Sequence, residues 1–178
     1  MELVWELDDP QIRLCVSAYF PFMLHYITRL DDASKTYVRN LTGYRRFANY
    51  AIMSKICWSK NVLEERDCPF QLMFGAMDVR YDLPTAFGLW LEWRFEHCPH
   101  ENVFVFCVDG LEDPVRIKEK LRRVLEFVIG SDEFVLRVVG LVGTHSIRKF
   151  AVSFARGQGC VLVSLFCHVV LLKSVTYI

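Results

Sequence analysis

Charge of one sign is not in excess in this 178-residue chain: 21 Lys and Arg face 21 Asp and Glu. A global positive field that would announce a nucleic-acid partner is thereby excluded, and any such surface has to come from local segregation of charge. No C-x-x-C pair occurs among the seven cysteines, at positions 15, 57, 68, 98, 107, 160 and 167, and their number is odd. That excludes a regular disulfide framework and reads as reduced, mostly buried thiols in an intracellular protein. His97, Cys98, His100 and Cys107 supply ligand types without a two-plus-two zinc spacing, so no metal site is expected. The N-terminus lacks a basic region, and Glu2, Glu6, Asp8 and Asp9 interrupt its apolar residues, so it does not read as a signal peptide. Long apolar runs are also missing. The strongest, Cys160 to Leu172, has 13 residues interrupted by Ser164 and His168, which suits a core segment better than a membrane span.

What is present is apolar and aromatic: 53% hydrophobic residues and 14% aromatics, enough for one domain with a substantial core. Residues 11–30 read as two helical pieces separated at Pro21. Asp31-Asp32 then caps a helical stretch over residues 33–58, bent near residues 40–43. Two short segments, residues 69–74 and 79–84, suggest a hairpin around Gly75. An amphipathic helix follows over residues 85–95, with Phe87, Leu89, Trp90, Leu91 and Trp93. Val103 to Phe106 reads as a strand. Asp113-Pro114 opens a helix whose apolar face carries Val115, Ile117, Leu121, Val124, Leu125 and Val128. Its other face carries Arg116, Lys118, Lys120, Arg122 and Arg123, and a short helix over residues 131–142 comes next. The fold class is α+β, mainly helical, with a small antiparallel sheet.

Chemistry concentrates in Gly143-Thr144-His145-Ser146-Ile147-Arg148-Lys149-Phe150. Thr144 or Ser146 can cap a helix, Phe150, Ala151 and Phe154 recur at helical spacing, and Gly157 and Gly159 close the segment. His145 and Arg148, three apart, share a face beside a helix N-terminus, an arrangement suited to receiving a phosphate. The pattern is short, and a capped helix with a surface His and Arg has the same spelling.

This box resembles the H-x-x-R box of tyrosine recombinases, the phage-integrase type, and is nearest in flavour to recombinases of eukaryotic mobile elements. Thr42-Gly43-Tyr44-Arg45 is similar to the T-G-x-R turn that carries the family's first catalytic arginine, 100 residues before His145. The order of strand, turn, strand and Pro-led helix also resembles the family. The turn Gly75-Ala76-Met77-Asp78 departs from it in lacking the catalytic lysine, and Lys60 is remote in sequence. In the tail, His168 and Tyr177 are nine apart, the family's interval between its last imidazole or indole and its nucleophile. The implied organisation is a helical lead-in over residues 1–30 in place of the core-binding domain, a catalytic domain over residues 31–159, and an atypical apolar segment over residues 160–178.

The resemblance implies strand cleavage and rejoining through a 3′-phosphotyrosine, without metal or other cofactor. Arg45 and Arg148 would hold the scissile phosphate, His145 would act as acid or base, His168 would support the same phosphate and Tyr177 would attack it. Arg46, Arg80, Arg116, Lys120, Arg123 and Lys149 would contact phosphates of double-stranded DNA. Implied too are a homo-oligomer on DNA, no membrane association, and a nuclear location if the source is eukaryotic. Two other readings stay open: a non-catalytic DNA-binding remnant of a mobile element, and an unrelated helical interaction module.

Overall fold

The computed structural model describes residues 2–43, 52–56, 70–73, 75, 82–98, 104–107, 114–131, 143 and 145–157. Its longest early element is not the two pieces expected around Pro21. After a short helix α1 (Glu2–Trp5), one helix α2 runs over Pro10–Tyr26 with Pro21 inside it. Asp9 caps it, its carboxylate accepting from the N–H groups of Gln11 at 2.9 Å and Ile12 at 3.2 Å, and Pro10 occupies the first turn. An internal proline costs roughly 3 kcal/mol through a lost hydrogen bond and a clash. The helix survives because Cys15, Val16, Ala18, Tyr19, Phe22 and Met23 are all buried along it, and burying a large apolar side chain returns about 1.5–3 kcal/mol. The helix ends at Ile27, whose φ of 52° is left-handed, with Thr28 donating to the Met23 carbonyl and Ile27 to that of Leu24.

The helix expected over residues 33–58 is not formed. Helix α3 covers only Leu30–Ser34, a 3-10 turn follows at Val38–Asn40, and strands β1 (Leu41–Gly43) and β2 (Ile52–Lys55) occupy the rest of the described stretch. Strand β3 (Phe70–Leu72) completes a three-stranded antiparallel sheet in the order β1-β2-β3. Thr42 lies opposite Met53, and Ser54 opposite Gln71. β3 pairs with β2; of the second segment expected for a hairpin with it, residues 79–81 lie outside the described residues, and Leu83 and Pro84 already belong to the following helix. Long-range pairing and tethering to α2 outweigh local helix preference here. His25 on α2 reaches the Leu72 carbonyl at 2.9 Å through Nε2, and the Tyr26 hydroxyl donates to that of Gln71 at 3.4 Å.

Helix α4 (Leu83–His97) is the expected Pro-led helix, with the Asp82 carboxylate accepting from the Thr85 N–H at 3.0 Å. Gly75 lies against this cap; a Cβ there would come within 3.0 Å of the Asp82 Oδ1. Phe87 and Trp90 face the core, whereas Leu89 and Phe95 are exposed. The segment expected as a strand at 103–106 makes an isolated bridge, Phe104 to Tyr37. It is held instead by side chains of α4: Trp90 Nε1 donates to the Val105 carbonyl and Arg94 Nε to that of Phe104, each at 3.0 Å. Phe106 thereby enters the core, where it meets the rings of Tyr19, Phe22, Phe87 and Trp90.

Helix α5 (Pro114–Gly130) buries Ile117, Leu121, Val124 and Leu125 as expected, with Val115 exposed. It packs on α3, and the last described helix, α6 (Ser146–Gly157), packs on α2. The helix expected over residues 131–142 and the apolar tail lie outside the described residues, apart from Ser131. The fold is mainly helical with a small antiparallel sheet, in agreement with the sequence. Cys15, Cys98 and Cys107 are free and buried. Among the described residues no helix is long and apolar enough to cross a membrane, and no group of three metal-ligand side chains converges.

Candidate functional site

Helix α6 brings the His145 box to the rest of the molecule. Ile147 packs against the core and Ala151 is buried, which fixes the rotation of the helix about its axis. The His145 carbonyl accepts the Lys149 N–H at 3.1 Å, so His145 stands at the helix opening. Ser146 does not cap in the expected sense. Its hydroxyl accepts the Gly143 N–H at 3.0 Å while its own N–H donates to the Gly143 carbonyl at 2.8 Å, which clamps the loop before the helix. Phe150 points outward, 61% exposed, because the buried stripe of α6 passes through Ile147 and Ala151 instead.

His145 lines an open cleft of about 250 Å³ together with Arg29, Leu30 and Asp31 at the start of α3 and Lys118 and Arg122 on α5. Three elements distant in sequence thus converge. Lys118 and Arg122 are four apart and share a flank of α5. Lys118 Nζ donates to Asp31 Oδ1 at 3.0 Å, and Lys35 Nζ to Asp31 Oδ2 at 3.3 Å. These ammonium groups, the Lys118 hydrogen bond first, hold the Asp31 carboxyl below the usual carboxylate range. Asp32 is pushed the other way by burial, against which the charges of Arg29 and Arg148 pull. Asp32 therefore sits within the electrostatic reach of both guanidiniums and links the α3 side of the site to α6. Among the described residues the cleft presents three cationic side chains and an imidazole around one carboxylate, a composition suited to an anion with several oxygens.

Of the residues singled out from sequence, His145 lies in this cleft; Arg148 is not among its lining residues, but its charge acts on Asp32. Arg116, Lys120 and Arg123 follow α5 on the flank away from Lys118 and Arg122, about 100° or more of helical rotation from them. Arg116, Arg123 and Lys149 are exposed. Arg45, Arg46, Arg80, His168 and Tyr177 lie outside the described residues. Arg29 was missed by sequence reasoning; its signal is the end of α2 followed by an acidic first turn, Asp31-Asp32. Lys118 and Arg122 stood within the basic run, but only the packing of α5 on α3 separates them from their neighbours.

No family model matches the chain, and no curated protein matches it in sequence. Solved structures do. The XerH site-specific recombinase bound to its difH substrate, in a pre-cleavage complex, matches with a TM-score of 0.61 and 14% identity over 94% of this chain. The same recombinase in a post-cleavage complex with palindromic difH matches with a TM-score of 0.61 and 13% identity over 93% of this chain. This chain covers 43% and 41% of those chains, less than half of their length. The chain is similar in fold to the catalytic domains of tyrosine recombinases.

Proposed function

We propose that this chain is a DNA strand-cleaving and rejoining domain of the tyrosine-recombinase type, acting on double-stranded DNA. One observation carries the reading: Arg29, Lys118, Arg122 and His145 meet in one cleft within a fold similar to that of a site-specific recombinase. Arg29 then takes the role that the T-G-x-R spelling suggested for Arg45, since Arg29 shares its cleft with His145. Arg29 and Arg148 hold the non-bridging oxygens of the scissile phosphate and stabilise the charge that develops there. His145 moves the proton at the nucleophile or the leaving oxygen. The Tyr177 oxygen forms the new bond to phosphorus as the 5′ oxygen leaves and takes a proton, which gives a 3′-phosphotyrosine and a free 5′ hydroxyl. Strand pairing also bears on the missing lysine. The segment joining β2 to β3 spans residues 56–69 and includes Lys60, which this reading assigns as the lysine that serves the leaving oxygen.

The test is covalent trapping on nicked duplexes carrying pooled sites, with denaturation before the adduct is sought. The expected outcome is an adduct formed by the wild type and lost in Tyr177→Phe and Arg29→Ala. Salt-sensitive DNA binding without an adduct would leave a non-catalytic remnant, and no binding at all would leave an interaction module.

A further inference from the structure

Among the described residues one carboxylate lines the cleft, Asp31, and it faces the cations that the proposed function assigns to DNA. Asp31 is 52% exposed at its side chain and gives one oxygen to Lys118 at 3.0 Å and the other to Lys35 at 3.3 Å. It stands at the second position of α3, two residues after Arg29, and lines the same cleft as Arg29, Arg122 and His145. A phosphodiester entering this space meets a fixed negative charge, and it has to share the Lys118 ammonium with Asp31 or draw it away. The carboxylate adds little to the stability of the fold. Asp31 makes no side-chain cap in α3, its partners are partly exposed surface lysines, and such pairs contribute about 0–1 kcal/mol.

We infer that Asp31 is an internal counterion that holds Lys118 and lowers the affinity of the cleft for non-cognate DNA phosphates. Resting on the proposed function, the inference adds a specificity-determining residue to that site. Entry of a phosphate loosens the Lys118–Asp31 pair in favour of a Lys118–phosphate contact, while Asp31 keeps Lys35 and repels the incoming charge. The exchange succeeds only where other contacts of a correctly placed duplex supplement it, so the carboxylate penalises loosely seated DNA more than well-seated DNA. Asp31 acts through Lys118 and touches no reacting atom in this scheme.

The experiment is equilibrium binding of the full chain to a short mixed-sequence duplex, by fluorescence anisotropy, from about 50 to 200 mM salt, the range over which phosphate contacts are most visible. Wild type is compared with Asp31→Asn, Asp31→Glu, Lys118→Ala, the double variant Asp31→Asn with Lys118→Ala, and Arg29→Ala. Asp31→Asn is expected to bind about three- to tenfold tighter near 0.1 M salt, the size of one nearby surface charge. Asp31→Glu is expected to restore wild-type affinity, and the gain is expected to vanish in the Lys118→Ala background. Weaker or unchanged binding by Asp31→Asn, while Arg29→Ala still reduces binding, would overturn the counterion role and leave the functional reading standing. A gain that persists undiminished without Lys118 would overturn it as well, since the effect would then be one of net charge alone. If Arg29→Ala binds as wild type does, the cleft is not the DNA site and both readings fall. Thermal unfolding of every variant separates these outcomes from loss of fold.

Discussion

The buried Tyr19 hydroxyl on α2 donates to the main-chain carbonyl of Leu30, the residue between Arg29 and Asp31. The start of α3 is thus tied to the centre of the core, and two cleft-lining side chains inherit their position from a helix that contributes none of its own. Tyr19→Phe keeps the ring and removes the bond. It is expected to cost about 1–2 kcal/mol, because the Leu30 carbonyl loses a buried donor. Urea denaturation would show a lower midpoint at unchanged slope, and DNA binding by the variant would weaken in parallel with Arg29→Ala.

Ile27 occupies a left-handed conformation, φ 52°, two residues before Arg29. A β-branched residue is disfavoured there by roughly 1–2 kcal/mol. Ile27→Asn suits that backbone and gives up only a half-buried side chain. A gain of about 0.5–1 kcal/mol is expected in urea denaturation. A loss larger than that would mean that the Ile27 side chain holds more of the helix end than its backbone strains.

Phe106 is the ring against which α2 and α4 both pack. Phe106→Ala is expected to destabilise by about 3–5 kcal/mol, through lost transfer energy and a cavity between the helices. A melting curve followed by circular dichroism would show the midpoint fall by roughly 6–20 °C. Leu89→Ala, on the exposed flank of α4 at 47% exposure, is expected to change little.

Burial, with Cys98 adjoining at 3.3 Å, pushes the Cys107 thiol up from 9.0 to about 12. Burial likewise raises Cys15 and Tyr19 well above their ordinary values. For each group the folded value exceeds the unfolded one. The stability it contributes is therefore complete below the unfolded value and is lost as pH rises through the folded one. For Cys107 that window runs from pH 9.0 to about 12. Unfolding free energy should fall by up to roughly 1.4 kcal/mol per pH unit for each such group over its window. Urea titrations across that alkaline range would measure it, and Cys107→Ala should flatten the slope by close to one proton.

Arg122 and Arg123 are adjacent in sequence but stand on different flanks of α5, and only Arg122 lines the cleft. Arg122→Ala is expected to weaken duplex binding and to lower the salt slope by about 1. Arg123→Ala is expected to have the smaller effect. Equal losses would move the DNA path to the outer face of α5, where Arg116, Lys120 and Arg123 lie.

Where a local signal decides structure, the sequence already contained it. Pro84 announces α4, Pro114 and the spacing of Ile117, Leu121 and Val124 announce α5, and the Ser146 to Gly157 helix follows from its own periodicity. The nearness of His145 and Arg148 on one side of that helix start was expected for the same reason, since a spacing of three residues puts side chains on one helix face whatever surrounds them. Tertiary structure decided the rest. Three- and four-residue strands carry too little pattern to reveal that β2 pairs with β3, and Pro21 stays inside α2 only because both sides of the helix are buried. Arg29, Lys118 and Arg122 become a site with His145 only when α5 packs on α3 and α6 on α2. Contacts between elements some 90 and 115 residues apart leave no local trace in spacing. The chain order thus determined the helices, and burial of their apolar faces decided which charges meet.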